Sequence, residues 1–230
     1  MLPSKVRFTR GERPNEGVLT VKPCVQGFGT TIGNVLRRIL LSSLSGAAVT
    51  AVKIKGADHE FATINHVKED VLEIILNVKA LRFKLFSEEP VKLRLAVKGE
   101  RVVTAQDFAK DALVEIVNPE QPIATLTDAS ASFEMEVWVS SGRGYQSLEE
   151  RAKTTKSELG VMTIDALYSP ILNVSYKVEE TRVGDKINFD KLTLRVETDG
   201  SMDPVDAVNQ GLQTLQDHVN VLKDLTYTAE

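Results

Sequence analysis

Apolar residues along the chain recur at period two in some stretches and at helical spacing in others, and the changes of period mark out the elements. Residues 17–22 alternate as a short strand after a polar stretch at 9–17 that predicts no element. Pro23 and the glycines at 27, 29 and 33 break the pattern, and a helix is predicted over 31–44, with Thr30 or Thr31 as its cap and Gly46 as its stop. Residues 49–55 read as a strand and 58–63 as another short one. A helix follows over 68–79, with Glu69 and Asp70 in its first turn and Lys79 in its last, as the helix dipole favours.

From 81 to 141 the runs Phe83/Leu85, Leu93/Leu95/Val97, Val114/Ile116 and Phe133/Met135/Val137/Val139 alternate between turn residues. The connections are too short for parallel crossovers, so an antiparallel meander is expected. Residues 142–160 are polar and read as a surface loop. Strands return at 172–180 and 191–198, and Asp203 and Pro204 open a final helix as capping acid and first helical residue. The fold class is α+β.

Two helices carry more apolar surface than one core contact requires. In the last, Val205, Val208, Leu212, Leu215, Val219 and Leu222 form an unbroken seam of alternating three- and four-residue spacing, suited to lengthwise packing on another helix. A helix lying on its own sheet needs only one stripe, and Val221 and Leu225 add apolar surface off the seam. In the first, Ile32, Val35, Leu36, Ile39 and Leu40 share one core-facing stripe, while Leu41 falls elsewhere, framed by Asn34, Arg37 and Arg38. A leucine among arginines is a plausible contact spot, although exposed leucines are common. Together the two helices point to self-association.

Composition narrows the class without naming a chemistry. The 230 residues are 42% hydrophobic and 26% charged, ordinary for a water-soluble domain. A net charge of −4 argues against a dedicated nucleic-acid binder. One cysteine, Cys24, cannot pair within the chain, and no apolar run is long enough to cross a bilayer, so an intracellular protein is expected.

The strongest enzymatic signal is Gly27-Phe28-Gly29, continuing to Gly33 at the mouth of a helix, where a glycine turn can offer backbone N–H groups to a phosphate. The spacing is not that of a dinucleotide fingerprint, and the next strand ends in Lys53-Ile54-Lys55 with no acidic residue to close it. The bland alternative is a tight turn that lets backbone pack closely beneath the helix. His59, His66 and His218 share no ligand spacing with one another or with Cys24. No catalytic residue, cofactor or metal site is assigned.

The run GFGTTIGNVLRRILLSS at 27–43 closely resembles the N-terminal domain of the bacterial RNA polymerase alpha subunit family. The likeness continues through HEF at 59–61, VKEDVLEIILNVK at 67–79, VEIVNP at 114–119, GRGY at 142–145, DALYSP at 165–170, VEETR at 178–182 and DKLTL at 190–194. It departs at Cys24-Val25-Gln26, at Ser45, and at Gln146-Ser147 after the GRGY run.

The resemblance implies two subdomains. A discontinuous dimerisation subdomain, 1–48 plus 171–230, carries both packing helices, and an inserted, mostly antiparallel α+β lobe spans 49–170. It implies a non-catalytic scaffold, part of a nucleotidyltransferase complex. This scaffold homodimerises and then binds the beta and beta-prime subunits in the bacterial cytoplasm or a plastid. By motif position Arg38 and Leu41, with Arg37 and Asn34, would meet beta, and Lys79 and Ile164 would meet beta-prime. The helix around Glu69–Glu73 would lie near the large-subunit surface. Ile32, Val35, Leu36, Ile39, Val208, Leu212, Leu215, Val219 and Leu222 would form the dimer interface. Family members continue through a linker into a DNA-binding domain. The resemblance assigns none of that domain to these residues, and no direct nucleic-acid contact is expected of them.

Overall fold

The computed structural model describes residues 2–154, 160–184 and 186–223. In chain order the elements begin β1 (Lys5–Arg10), β2 (Glu16–Val25), α1 (Phe28–Ser42), β3 (Ser45–Ile54), α2 (Val71–Lys79), β4 (Phe83–Leu85), β5 (Val91–Lys98) and β6 (Arg101–Thr104). They continue β7 (Val114–Ile116), β8 (Pro122–Leu126), β9 (Ser132–Arg143), β10 (Tyr145–Gln146), α3 (Leu148–Thr154), β11 (Met162–Thr163), β12 (Ala166–Leu167), β13 (Ile171–Val183), β14 (Lys186–Thr198) and α4 (Pro204–Lys223). The fold is α+β with antiparallel pairing throughout the described ladders. No helix among the described residues is long and apolar enough to cross a membrane.

The chain divides into two compact units, Met1–Leu44 with Ser169–Glu230, and Ser45–Tyr168. The boundaries expected from the sequence were 48/49 and 170/171.

In the first unit the sheet order is β1-β2-β14-β13. Leu19 and Val21 of β2 and Leu192, Leu194 and Val196 of β14 alternate onto one face. There they pack with Leu36 and Leu40 of α1 and Ala207 and Val208 of α4. Period-two strands and period-3.6 helices thus bury one stripe each against the other. β1 went unrecognised in the sequence, because Lys5–Arg10 holds only two apolar residues, Val6 and Phe8, and neither is fully buried.

In the second unit β5-β9-β3-β4-β7 form the main sheet, β11 pairs with β3, and β6-β8 and β10-β12 form separate ladders. Val71, Ile74, Ile75 and Val78 of α2 join Val52, Phe83, Leu93, Leu95, Phe133 and Val137 in its core. The expected simple meander is corrected by the position of β3 between β9 and β4: alternation sets which face is buried, not the order of strands.

Three further expectations change. Residues 58–63 form turns rather than a strand, closed by the Ala62 N–H donating to the His59 carbonyl. α2 starts at Val71, with Asp70 as its cap accepting from Glu73 N at 2.7 Å. Glu69 instead accepts from Thr125 N and Oγ1. The polar stretch at 142–160 holds the end of β9, β10 and α3, while 155–159 lie outside the described residues.

Candidate functional site

The glycine turn comes first, because it decides between a phosphate cradle and a packing device. α1 begins at Phe28, three residues earlier than the pattern suggested, and Gly27 before it has φ 85°. No side chain of the turn caps the helix. The cap comes from across the sheet: Asp190 of β14 accepts from Gly27 N at 2.9 Å and from Gly29 N at 3.2 Å through a single oxygen, Oδ2. A carboxylate at a helix N-terminus meets both the free amides and the positive end of the dipole. Two amides that a phosphate would need are therefore already bonded, which answers the nucleotide alternative. Thr31 Oγ1 donates to the Gly27 carbonyl instead of capping. At the far end the helix stops at Ser43, and Gly46 belongs to β3.

The close-packing alternative matches what the glycines do. A Cβ on Gly29 would lie 2.9 Å from Asp190 Cβ, and one on Gly33 would lie 2.7 Å from Tyr176 Cδ2. α1 thus rests on β13 and β14 closer than any side chain would allow. Leu36 and Leu40 are buried beneath it, while Ile32, Val35 and Ile39 are half-buried along its flank. Asn34, Arg38 and Leu41 are exposed at i, i+4 and i+7, one face of the helix. Arg37 is exposed too, but its Nε donates to the Val174 carbonyl at 3.2 Å, which ties it to the sheet.

α4 is two helices in its burial. Asp203 caps it, accepting from Val205 N at 2.9 Å, and Pro204, Ala207, Val208 and Gly211 are buried. Gly211 meets α1, where a Cβ would lie 3.1 Å from Leu40 Cδ2. Beyond this crossing nearly every residue is exposed: Leu212 is 42% accessible and Leu222 60%, with Val219 and Val221 also exposed and Leu215 half-buried. Two residues named for the interface are buried in the single chain. Leu36 and Val208 lie in the unit's own core, because each falls on the stripe that faces the sheet. Leu225 lies outside the described residues.

In the second unit Lys79, the last residue of α2, donates from Nζ to Asp165 Oδ1 at 2.7 Å and to Oδ2 at 2.8 Å. Tyr145 Oη donates to the same carboxylate at 3.2 Å. The Lys79 hydrogen bond holds the Asp165 carboxyl below its ordinary value, with burial opposing it, while desolvation and the Asp165 charge push the Tyr145 phenol up. Leu76, one turn before Lys79, and Leu167, paired with Tyr145, are exposed nearby in the chain. Ile164, at 6% exposure, belongs to the core, while its neighbour Asp165 takes the outward position. Asp165, Tyr145 and Asp190 were not singled out from the sequence, although all three stand in quoted motifs. Pairing across 86, 20 and 163 residues leaves no local signal.

Among the described residues no group of three or more histidines, cysteines or carboxylates is arranged to hold a metal ion.

Comparison with known proteins settles the family. Residues 52–169 match the family model described as the RNA polymerase Rpb3/RpoA insert domain. DNA-directed RNA polymerase subunit alpha of Oceanobacillus iheyensis is 47% identical over 95% of this chain and 69% of its own length. The protein of the same name from Alkaliphilus oremlandii is 49% identical over 91% of this chain and 66% of its own length. That of Macrococcus caseolyticus is 47% identical over 93% of this chain and 68% of its own. The chain therefore spans about two thirds of these relatives, and it belongs to the bacterial-type DNA-directed RNA polymerase alpha subunit family.

Proposed function

We propose that this chain is a cytoplasmic, non-catalytic scaffold that homodimerises and binds the two large subunits to nucleate a DNA-dependent RNA polymerase. The observation that carries the reading is the exposed second half of α4, where Leu212, Val219 and Leu222 stand open on one seam among the described residues and Leu215 is half-buried. Apolar seams of this length are covered in stable proteins. The half-buried Ile32, Val35 and Ile39 of α1 add to the same demand. A second copy supplies an identical seam, as a two-fold interface requires.

The exposed Asn34, Arg38 and Leu41 face supports beta binding, with Arg37 in a supporting role because its guanidinium is held by the sheet. Lys79, presented by Asp165 and Tyr145, supports beta-prime binding, with Ile164 acting beneath it as core. The test is co-expression with the two large subunits. Arg38→Ala/Leu41→Asp is expected to lose capture of beta, and Lys79→Ala to lose capture of beta-prime from the alpha–beta complex, with the dimer intact in both. Full capture by both variants would remove this assignment.

A further inference from the structure

The free edge of the first unit's sheet carries an unmatched charge. β1 is the edge strand, paired on one side with β2 only. Along it Lys5 and Arg7 point to the face away from the helices, while Val6 and Phe8 point to the helix face, where Phe8 packs on the core. Lys5 stands directly opposite Lys22 of β2. Like charges at directly opposed positions destabilise a ladder.

The rest of that face is neutralised. Glu16 pairs with Arg195, Glu197 with Arg13, and Glu179 with Lys177 and Lys191. Lys5, Arg7 and Lys22 have no ion-pair or hydrogen-bonding partner for their side chains among the described residues. Among the described residues of this face, the unpaired positive charge therefore lies at β1 and the adjoining Lys22 of β2. A cavity of about 200 Å³ opens beside it, lined by Ser4, Lys5, Lys22, Pro23, Thr181 and Val183. On the other face of the same strand Val6 is 63% exposed.

We propose that the β1 edge receives an extended segment of a partner protein that alternates carboxylate and apolar side chains. Every second N–H and C=O of an edge strand points outward and is a template for one more strand. In a strand added there, one set of side chains would lie beside Lys5 and Arg7 and the other beside Val6 and Phe8, so the two faces ask for acid and hydrocarbon in turn. Charged edges also keep sheets from pairing with themselves. A basic guard of that kind repels basic strands and admits an acidic one, which makes it a specificity device. A nucleic acid fits less well. The patch ends where the Glu16, Glu179 and Glu197 pairs begin, so a phosphate backbone tracking along the face would meet carboxylates. The inference does not depend on the dimer or on the large-subunit contacts.

The test is fluorescence anisotropy of the 230-residue chain with a labelled synthetic peptide alternating glutamate and valine. The wild type is expected to bind it, with affinity falling at least tenfold in Lys5→Glu/Arg7→Glu. Affinity should fall as far for the wild type when the peptide has its glutamates and valines in two blocks, or has N-methylated backbone amides. Those two peptides keep the test decisive even if the double variant is poorly folded. Failure of the wild type to bind, or equal affinity for the alternating, blocked and N-methylated peptides, would overturn the proposal. So would preference for a DNA duplex over the peptide, which would assign the patch to phosphate.

Discussion

Replacing Asp190 isolates the cap that holds α1 in place. Its Oδ2 accepts from Gly27 N at 2.9 Å and Gly29 N at 3.2 Å, and the residue is buried. A hydrogen bond to a charged group contributes about 1.5–3 kcal/mol. The two bonds here share one oxygen, so Asp190→Ala is expected to cost about 2–4 kcal/mol, including the dipole interaction. Asp190→Asn keeps an accepting oxygen and loses the charge, and neutral hydrogen bonds are about half as strong as charge-assisted ones. Its cost should be about half that of the alanine variant. At roughly 2–4 °C per kcal/mol for a chain of this length, alanine lowers Tm by about 4–16 °C and asparagine by about half as much. Differential scanning calorimetry reads both. An alanine variant within about 0.5 kcal/mol of wild type, the range of an ordinary surface change, would refute the cap. The glycine turn would then need another explanation.

Two further outcomes follow from the packing and the charges. Gly33→Ala forces a Cβ to within 2.7 Å of Tyr176 Cδ2 and 2.9 Å of Leu192 Cδ1, so a loss of about 1–3 kcal/mol in urea unfolding is expected. A helix-propensity gain instead would show that the helix can lift off its sheet. For Asp165, whose folded carboxyl is depressed chiefly by the Lys79 hydrogen bond, the pair stabilises the fold above the ordinary carboxylate value and is lost as pH falls through the lower folded one. Lys79→Met should therefore move the Asp165 titration to higher pH in a carboxyl-resolved NMR experiment, and an unmoved titration would refute the pairing.

What the sequence made legible was what depends on local spacing. The existence of α1, α2 and α4, the core-facing stripe of α1 at Leu36 and Leu40, the capping by Asp203 and the close packing at Gly29 and Gly33 all follow from periods and residue types within one element. What depended on distant pairing stayed hidden. α1 starts early because Asp190, far along the chain, supplies its cap. β1 was missed because an edge strand needs little apolar content, and β3 enters the middle of a sheet built mainly from later strands. The resemblance names Leu36 for the dimer interface, although its spacing already puts it on the core-facing stripe, and names Ile164 for a contact by motif position. Both lie in cores, and a motif keeps its core residues for the same reason it keeps its surface ones.

The central claim is tested most directly by the solution mass of the chain across concentration, measured by light scattering for wild type and for Leu212→Asp/Leu222→Asp. These positions are exposed in the single chain, unlike half-buried Leu215, so the substitutions leave its own core untouched. The account predicts a wild-type mass twice that of the chain, and a variant of single-chain mass with an unchanged circular dichroism spectrum. A wild type of single-chain mass at high concentration, or a variant that remains a dimer, would contradict it.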